Sequence, residues 1–253
     1  MIASMLKLYV SDFVFRILQN DALRFEFIKK GNEPNMNALL NKLIPNLLEY
    51  RKQRREEIHH ILENEFARKD AERIYEAVNT VIDKVYFSDE ELECLEEIVW
   101  FRPSEKYRTV FDEIEDSETV ITGQSASVYI RGLLNEYARF PQYKRESILF
   151  DHELSDFAEA CETERVFHAR VNGRSIRVFG FCYVYGYAYD QENYLIGYDL
   201  TDKVIGAIPL CKIRDSYLVE RKYKPSGQLI ETLQQYYESR EYDKVIAYEE
   251  EPC

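Results

Sequence analysis

The feature that most constrains this 253-residue chain is a change of hydrophobic period near Glu164. Upstream of it, apolar residues recur at the three-to-four spacing of amphipathic helices. Downstream they alternate, as in half-buried strands. Helices followed by strands predict an α+β fold in which a helical region precedes an antiparallel one. In the second region, 166–171 and 175–181 flank Asn172-Gly173, the strongest short hairpin signal. A strand over 183–189, a turn over 190–193, a strand over 194–200, the turn Thr201-Asp202 and strands over 204–210 and 216–222 follow. Five or so short antiparallel strands with tight turns predict a small, partly open barrel.

The helical region opens on a short strand, 5–10, and Ser11-Asp12 then caps a helix carrying Phe13, Ile17, Leu18 and Phe25. Gly31-Asn32-Glu33-Pro34 stops it. Asn35 or Asn37 caps a second helix with Leu39, Leu40, Leu43, Leu47 and Leu48 at helical spacing and Pro45 as an irregularity. A long amphipathic stretch over 58–85 follows, with Ile61, Leu62, Phe66, Ile74, Val78, Val81 and Ile82 on one side. A second short strand at 98–102, a cap at Ser104 and a helix over 107–114 repeat the order. The second-helix segments align without gaps at an offset of 90, as in Asn37-Ala38-Leu39-Leu40 with Ser127-Val128-Tyr129-Ile130. The arrangement resembles a ribbon-helix-helix unit occurring twice, in 1–60 and 97–150. That duplication requires the two short strands to pair antiparallel. Ribbon-helix-helix proteins read the DNA major groove with polar ribbon side chains. Here the ribbon offers Lys7, Tyr9 and Arg102 amid Leu8, Trp100 and Phe101, a set better suited to packing than to reading bases.

Net charge is -13, which argues against a polyphosphate partner until the charge is located. Residues 1–73 carry 13 basic and 11 acidic side chains, 74–164 carry 8 and 22, 165–224 carry 10 and 6, and 225–253 carry 2 and 7. The strand region is therefore the most basic one. Tyrosine concentrates there too: 12 of 20 lie after residue 150. A basic, aromatic segment inside an acidic protein is where a single-stranded nucleic-acid surface is expected. The five cysteines are an odd number with no CxxC pair, which predicts buried free thiols rather than a disulfide framework or a zinc site. No uninterrupted apolar run reaches membrane-spanning length and no cleavage-site pattern follows the N-terminus, so the expectation is a soluble, cytoplasmic protein.

The segment 160–223 resembles a WYL domain, the small Sm-like or SH3-like antiparallel barrel of bacterial regulators. The resemblance rests on Val171-Asn172-Gly173-Arg174 in the first hairpin, Arg177 on its second strand, Asn193-Tyr194-Leu195-Ile196-Gly197-Tyr198-Asp199 at the signature, and Ile208-Pro209-Leu210-Cys211-Lys212-Ile213 after it. Asn193 stands where the family carries its signature Trp, and Pro209 and Lys212 stand where it carries Arg. A ribbon-helix-helix region, a WYL domain and a short C-terminal extension together look like the WYL accessory proteins encoded with type VI-D CRISPR systems. That resemblance implies a homodimer that binds single-stranded RNA and raises the activity of the RNA-guided RNA nuclease. For such binding Arg174, Arg177, Lys203, Lys212 and Arg214 would supply phosphate contacts and Tyr183, Tyr194 and Tyr198 would supply stacking faces. Because strand neighbours alternate faces, Arg174, Ser175 and Arg177 cannot all point one way. The runner-up is a transcription regulator that binds DNA through the ribbon and senses a ligand in the barrel.

After Pro225-Ser226-Gly227, Leu229, Ile230, Leu233, Tyr236 and Tyr237 form a helical stripe, and Val245-Ile246 begin a short strand. One helix and one strand cannot make a core, so 224–253 must pack on something. The resemblance implies a short α/β dimerisation element. His59 and His60 with Glu56 and Glu63 lack HExxH order and read as a solvated helix face. No P-loop, GxGxxG or GxSxG occurs. The expectation is a protein without catalytic residues, metal or cofactor.

Overall fold

The structure, a computed structural model, describes residues 5–87, 95–114, 125–186 and 192–248. The acidic runs at 88–97 and 112–118, the strand end at 187–189, Cys94, Cys253 and the acidic end 249–251 lie wholly or partly outside them. The chain separates into two compact units, Met1–Phe140 and Pro141–Cys253.

In the first unit, β1 (Leu6–Ser11) leads into α1 (Asp12–Arg24), whose first turn is capped by Ser11 Oγ accepting from the Val14 amide at 3.4 Å. Next come α2 (Met36–Glu65), α3 (Arg68–Phe87), β2 (Leu95–Phe101), a 3₁₀ turn at Glu105–Tyr107, α4 (Arg108–Glu113) and α5 (Ala126–Arg139). Asn35 caps α2 through its side chain, at 3.2 Å from the Ala38 amide. The helix continues through Pro45. Losing one backbone bond there costs roughly 3 kcal/mol. Leu39, Leu40, Leu43, Ile44 and Leu47 are completely buried around it, at about 1.5 to 3 kcal/mol each, and outweigh that loss.

β1 and β2 pair antiparallel with Leu8 opposite Val99, the pairing that a duplication requires. Burial follows the same offset of 90. The N-caps Asn35 and Ser125 stand 90 residues apart, and the buried positions 39, 40, 43, 44 and 47 of α2 recur as Tyr129, Ile130, Leu133, Leu134 and Tyr137 of α5. Two asparagines of α2 hold the exit of β2: Asn37 Oδ1 accepts from the Arg102 amide at 2.8 Å, and Asn41 Oδ1 from the Ser104 amide at 2.6 Å. The amphipathic stretch read over 58–85 is two helices, broken at Phe66-Ala67 with Phe66 extended. Ile61, Phe66 and Val81 are exposed, so the stripe is not a single buried seam. No Gly or Pro marks this turn, which is why periodicity alone runs across it.

The second unit holds α6 (Gln142–Leu149), α7 (Asp151–Thr163), β3 (Arg165–Val171), β4 (Arg174–Val184), β5 (Tyr194–Asp199), β6 (Val204–Pro209), a 3₁₀ turn at Leu210–Lys212, β7 (Ile213–Lys222), α8 (Gly227–Ser239) and β8 (Ile246–Ala247). The strands form one antiparallel sheet in the order β7-β3-β4-β5-β6-β8. Its edge strands β7 and β8 do not pair with each other, so the expected barrel is an open sheet. The Asn172-Gly173 hairpin forms as read, with both residues left-handed (φ 50° and 80°), the geometry that twists with the strands it joins.

Each face of the sheet is covered by a helix. Phe157 of α7 packs edge-on against Phe167 at 5.3 Å, and a Cβ on Gly180 would fall 2.8 Å from Cys161 Sγ. Phe179 points the other way, into a core with Ile196, Tyr198 and Ile205 from the sheet, Leu229, Leu233 and Tyr236 from α8, and Tyr248. Two boundaries therefore move. Residues 142–163 belong with the sheet rather than with the first helical region, and 224–248 completes the sheet's own core.

Candidate nucleic-acid interface

The strand register assigns every expected contact to a face, because directly paired residues share one and successive residues alternate. His168 pairs with Arg177 on one side and Tyr217 on the other, while Arg170 pairs with Ser175 and Arg214. These six positions form one block. Arg174, Ile176 and Val178 face the opposite way. Arg174 and Arg177 thus cannot contact the same phosphate path.

The expected phosphate ligands meet different fates. Arg177 is exposed and makes no ion pair among the described residues, and Lys203 is exposed in a left-handed turn whose carbonyl accepts from the Tyr248 amide at 2.9 Å. Arg174 is exposed but pairs with Asp202 at 2.6 Å. Arg214 is folded back on its own chain. It donates to the carbonyls of Cys211 (2.6 Å) and Ile213 (2.7 Å) and lies over the Phe150 ring. It serves as a structural clamp, and Lys212 beside it is half-buried.

The tyrosines are corrected more sharply. Tyr198 is 1% exposed, with its hydroxyl donating to the Tyr248 carbonyl, so it offers no ring face to a base. Tyr183 is half-buried against Tyr185, and burial pushes its hydroxyl pKa up. Tyr194 donates to Glu192 at 2.9 Å and packs on Tyr242. Of the expected dimer contacts, Leu229, Leu233 and Tyr236 are buried in the core of their own unit. Ile230, Tyr237, Val245 and Ile246 remain exposed.

A cavity of about 220 Å³ opens on the Arg174 side, floored by Ile176, Val178, Gly197, Gly206 and Ile208 and lined also by Asp202. Small-molecule sites usually measure roughly 300 to 1,000 Å³, so this one does not favour a ligand-sensing barrel.

One buried group escaped sequence reading. Glu146 is fully buried, and its carboxylate accepts from the Cys211 amide (3.0 Å), the Asn193 amide (2.9 Å) and Asn193 Nδ2 (2.8 Å). Asn193 Nδ2 also donates to the Tyr143 carbonyl at 2.7 Å. Burial pushes the Glu146 pKa up to about 7, and the three N–H donors pull against it. The residue standing where the resembled family carries Trp is therefore half of a polar clamp joining α6 to two strand ends. The thiols of Cys161 and Cys211 are pushed by burial to about 12 and that of Cys182 to about 11, and all three are free. Among the described residues no cluster of side chains suits a metal ion. His59 contacts Glu63 at i,i+4 spacing (3.5 Å) and packs edge-on against the Tyr75 ring at 4.8 Å. No described helix is long and apolar enough to cross a membrane.

No family model matches this chain, and no curated protein matches it. Its fold does occur among solved structures. It is similar to the crystal structure of a CRISPR Cas-related protein, at 15% identity and a TM-score of 0.62, over 91% of this chain. This chain spans 66% of that protein's length. At that identity, what the two share is the fold.

Proposed function

We propose that this protein is a non-enzymatic, dimeric accessory regulator that binds single-stranded RNA and raises the activity of the RNA-guided RNA nuclease of a type VI-D CRISPR system. The observation that carries the reading is the open sheet of the second unit, which presents Arg177 and Lys203, without ion pairs among the described residues, and exposed aromatic rings in the most basic segment of an acidic chain. Cations that track a backbone and rings that stack on bases are the two parts of sequence-tolerant single-strand binding. The similarity in fold to a CRISPR Cas-related protein supports the same context. The acidic residues of 74–164 disfavour polyanion binding along that segment.

The test is a titration of labelled single-stranded RNA and of duplex DNA of matched length at several salt concentrations. RNA preference is expected, with a logarithmic salt slope of about -0.7 per phosphate neutralised. Preference for duplex would overturn the reading in favour of a DNA-binding regulator. Addition of the protein to the nuclease is expected to raise the cleavage rate, and an unchanged rate would remove the accessory role.

A further inference from the structure

The block of sheet positions around His168 contains, beside the expected contact Arg177, two residues that the expected contacts do not include. His168 and Tyr217 lie ring on ring, with centroids 4.4 Å apart and planes 27° from parallel. Tyr217 is 52% exposed, so one ring face covers His168 and the other meets solvent. A β-bulge makes this happen. Arg170 stands opposite Arg214, and an unbroken register would put Ser216 opposite His168; the extra residue in β7 brings Tyr217 there instead. Asp215, at the bulge, takes up a left-handed conformation, with φ 51°. Ser216 turns to the other face and donates to Asp156 of α7 at 2.7 Å, which pins the bulge.

Stability alone does not account for the arrangement. His168 Nε2 shares a hydrogen bond with Ser175 Oγ at 2.7 Å, while Nδ1 is buried with no partner among the described residues. An orphaned ring nitrogen under a half-exposed tyrosine is a cost that the fold carries. Cations flank the pair. Among the described residues Arg177, in the same cross-strand row, has no counter-ion, and Arg170 pairs only with Asp215, at 3.2 Å, both side chains of that pair being well exposed. A surface pair of that kind is worth little and yields readily to a phosphate.

We propose that the solvent-facing ring of Tyr217 is a stacking platform for one base of a single-stranded RNA, held by His168 beneath it, with Arg177 contacting the adjoining phosphate. The inference rests on the RNA-binding reading and specifies its contact surface. Two strand spacings, about 10 Å, separate the Tyr217 and Arg177 backbones, a span that an extended arginine side chain closes toward a phosphate beside the stacked base. The positive row excludes basic partners, and the exposed ring face suits any base, which makes the contact sequence-tolerant.

Anisotropy titrations with a short labelled RNA test this, using the full chain and the variants Tyr217→Ala, Tyr217→Phe and Arg177→Ala. Tyr217→Ala is expected to weaken binding about 5- to 100-fold with an unchanged salt slope, and Tyr217→Phe to stay within about twofold. Arg177→Ala is expected to lower the slope by about 0.7. An abasic site walked along the RNA separates stacking from misfolding. At one position it is expected to weaken binding to the unaltered protein and have no further effect on Tyr217→Ala. RNA binding that survives Tyr217→Ala undiminished would refute the platform while leaving the RNA reading intact. Absence of RNA binding by the unaltered protein would overturn both.

Discussion

Removing the Glu146 carboxylate probes the polar clamp of the second unit directly. In Glu146→Ala the amides of Asn193 and Cys211 lose their acceptor in a buried site, while Asn193 Nδ2 keeps the Tyr143 carbonyl. Two orphaned buried donors at about 1 to 3 kcal/mol each predict a loss of roughly 2 to 6 kcal/mol. Glu146→Gln restores one acceptor but turns an amide NH₂ toward the other donors, so an intermediate loss of about 1 to 3 kcal/mol is expected. The two variants also report on charge. The folded pKa is raised from 4.5 to about 7, so the folded state holds this proton more tightly than the unfolded chain does. The resulting stabilisation is complete below about pH 4.5 and vanishes as pH rises through 7. Between pH 5 and pH 8 the unaltered protein should lose about 2 to 3 kcal/mol relative to Glu146→Gln, in which nothing titrates at this position. Hydrogen exchange of peptides from β3 to β7, measured against urea at both pH values, gives the difference for this unit and cancels other titrating groups. A stability difference that stays constant from pH 5 to 8 would refute the reasoning. It would mean that the three N–H donors hold the carboxylate ionised throughout.

Leu233 is wholly buried between α8 and the sheet, so Leu233→Ala should cost about 2 to 5 kcal/mol and lower the midpoint of urea unfolding in the second unit. Gly197→Ala should destabilise by about 1 to 3 kcal/mol, because an added Cβ would meet the Phe179 carbonyl oxygen at 2.5 Å; calorimetry would show it as a lowered transition. Tyr198→Phe should leave RNA affinity unchanged, since that ring lies in the core, and a binding defect with unaltered stability would show the assignment to be wrong. Dimerisation is best tested at Ile230, Tyr237 and Ile246, which are exposed, because deleting 226–253 would also strip Leu229, Leu233, Tyr236 and Tyr248 from their own core. Light scattering should show a halved mass for Ile230→Glu combined with Ile246→Glu, and an unchanged dimer mass would place the contact elsewhere.

The α+β division, the Asn172-Gly173 hairpin, the cap at Ser11 and a cap at Asn35 or Asn37 were legible from the chain alone. Each depends on neighbours within a few residues, on a period or on a turn's φ requirement, and such signals survive in one dimension. Alternation along β4 even showed that Arg174 and Arg177 must diverge. Which of the two shares a surface with His168 and Tyr217 is a matter of register between β3, β4 and β7, and a single extra residue in β7 decides it. The open sheet, the burial of Tyr198, the folding back of Arg214 and the docking of α8 on its own sheet are likewise products of packing between distant segments. Glu146 is the clearest case. Its partners lie 47 and 65 residues away, and nothing near it in the chain distinguishes it from a solvated acid. Local patterns determine which elements form and where they stop; only the close approach of those elements determines which side chains are left facing water.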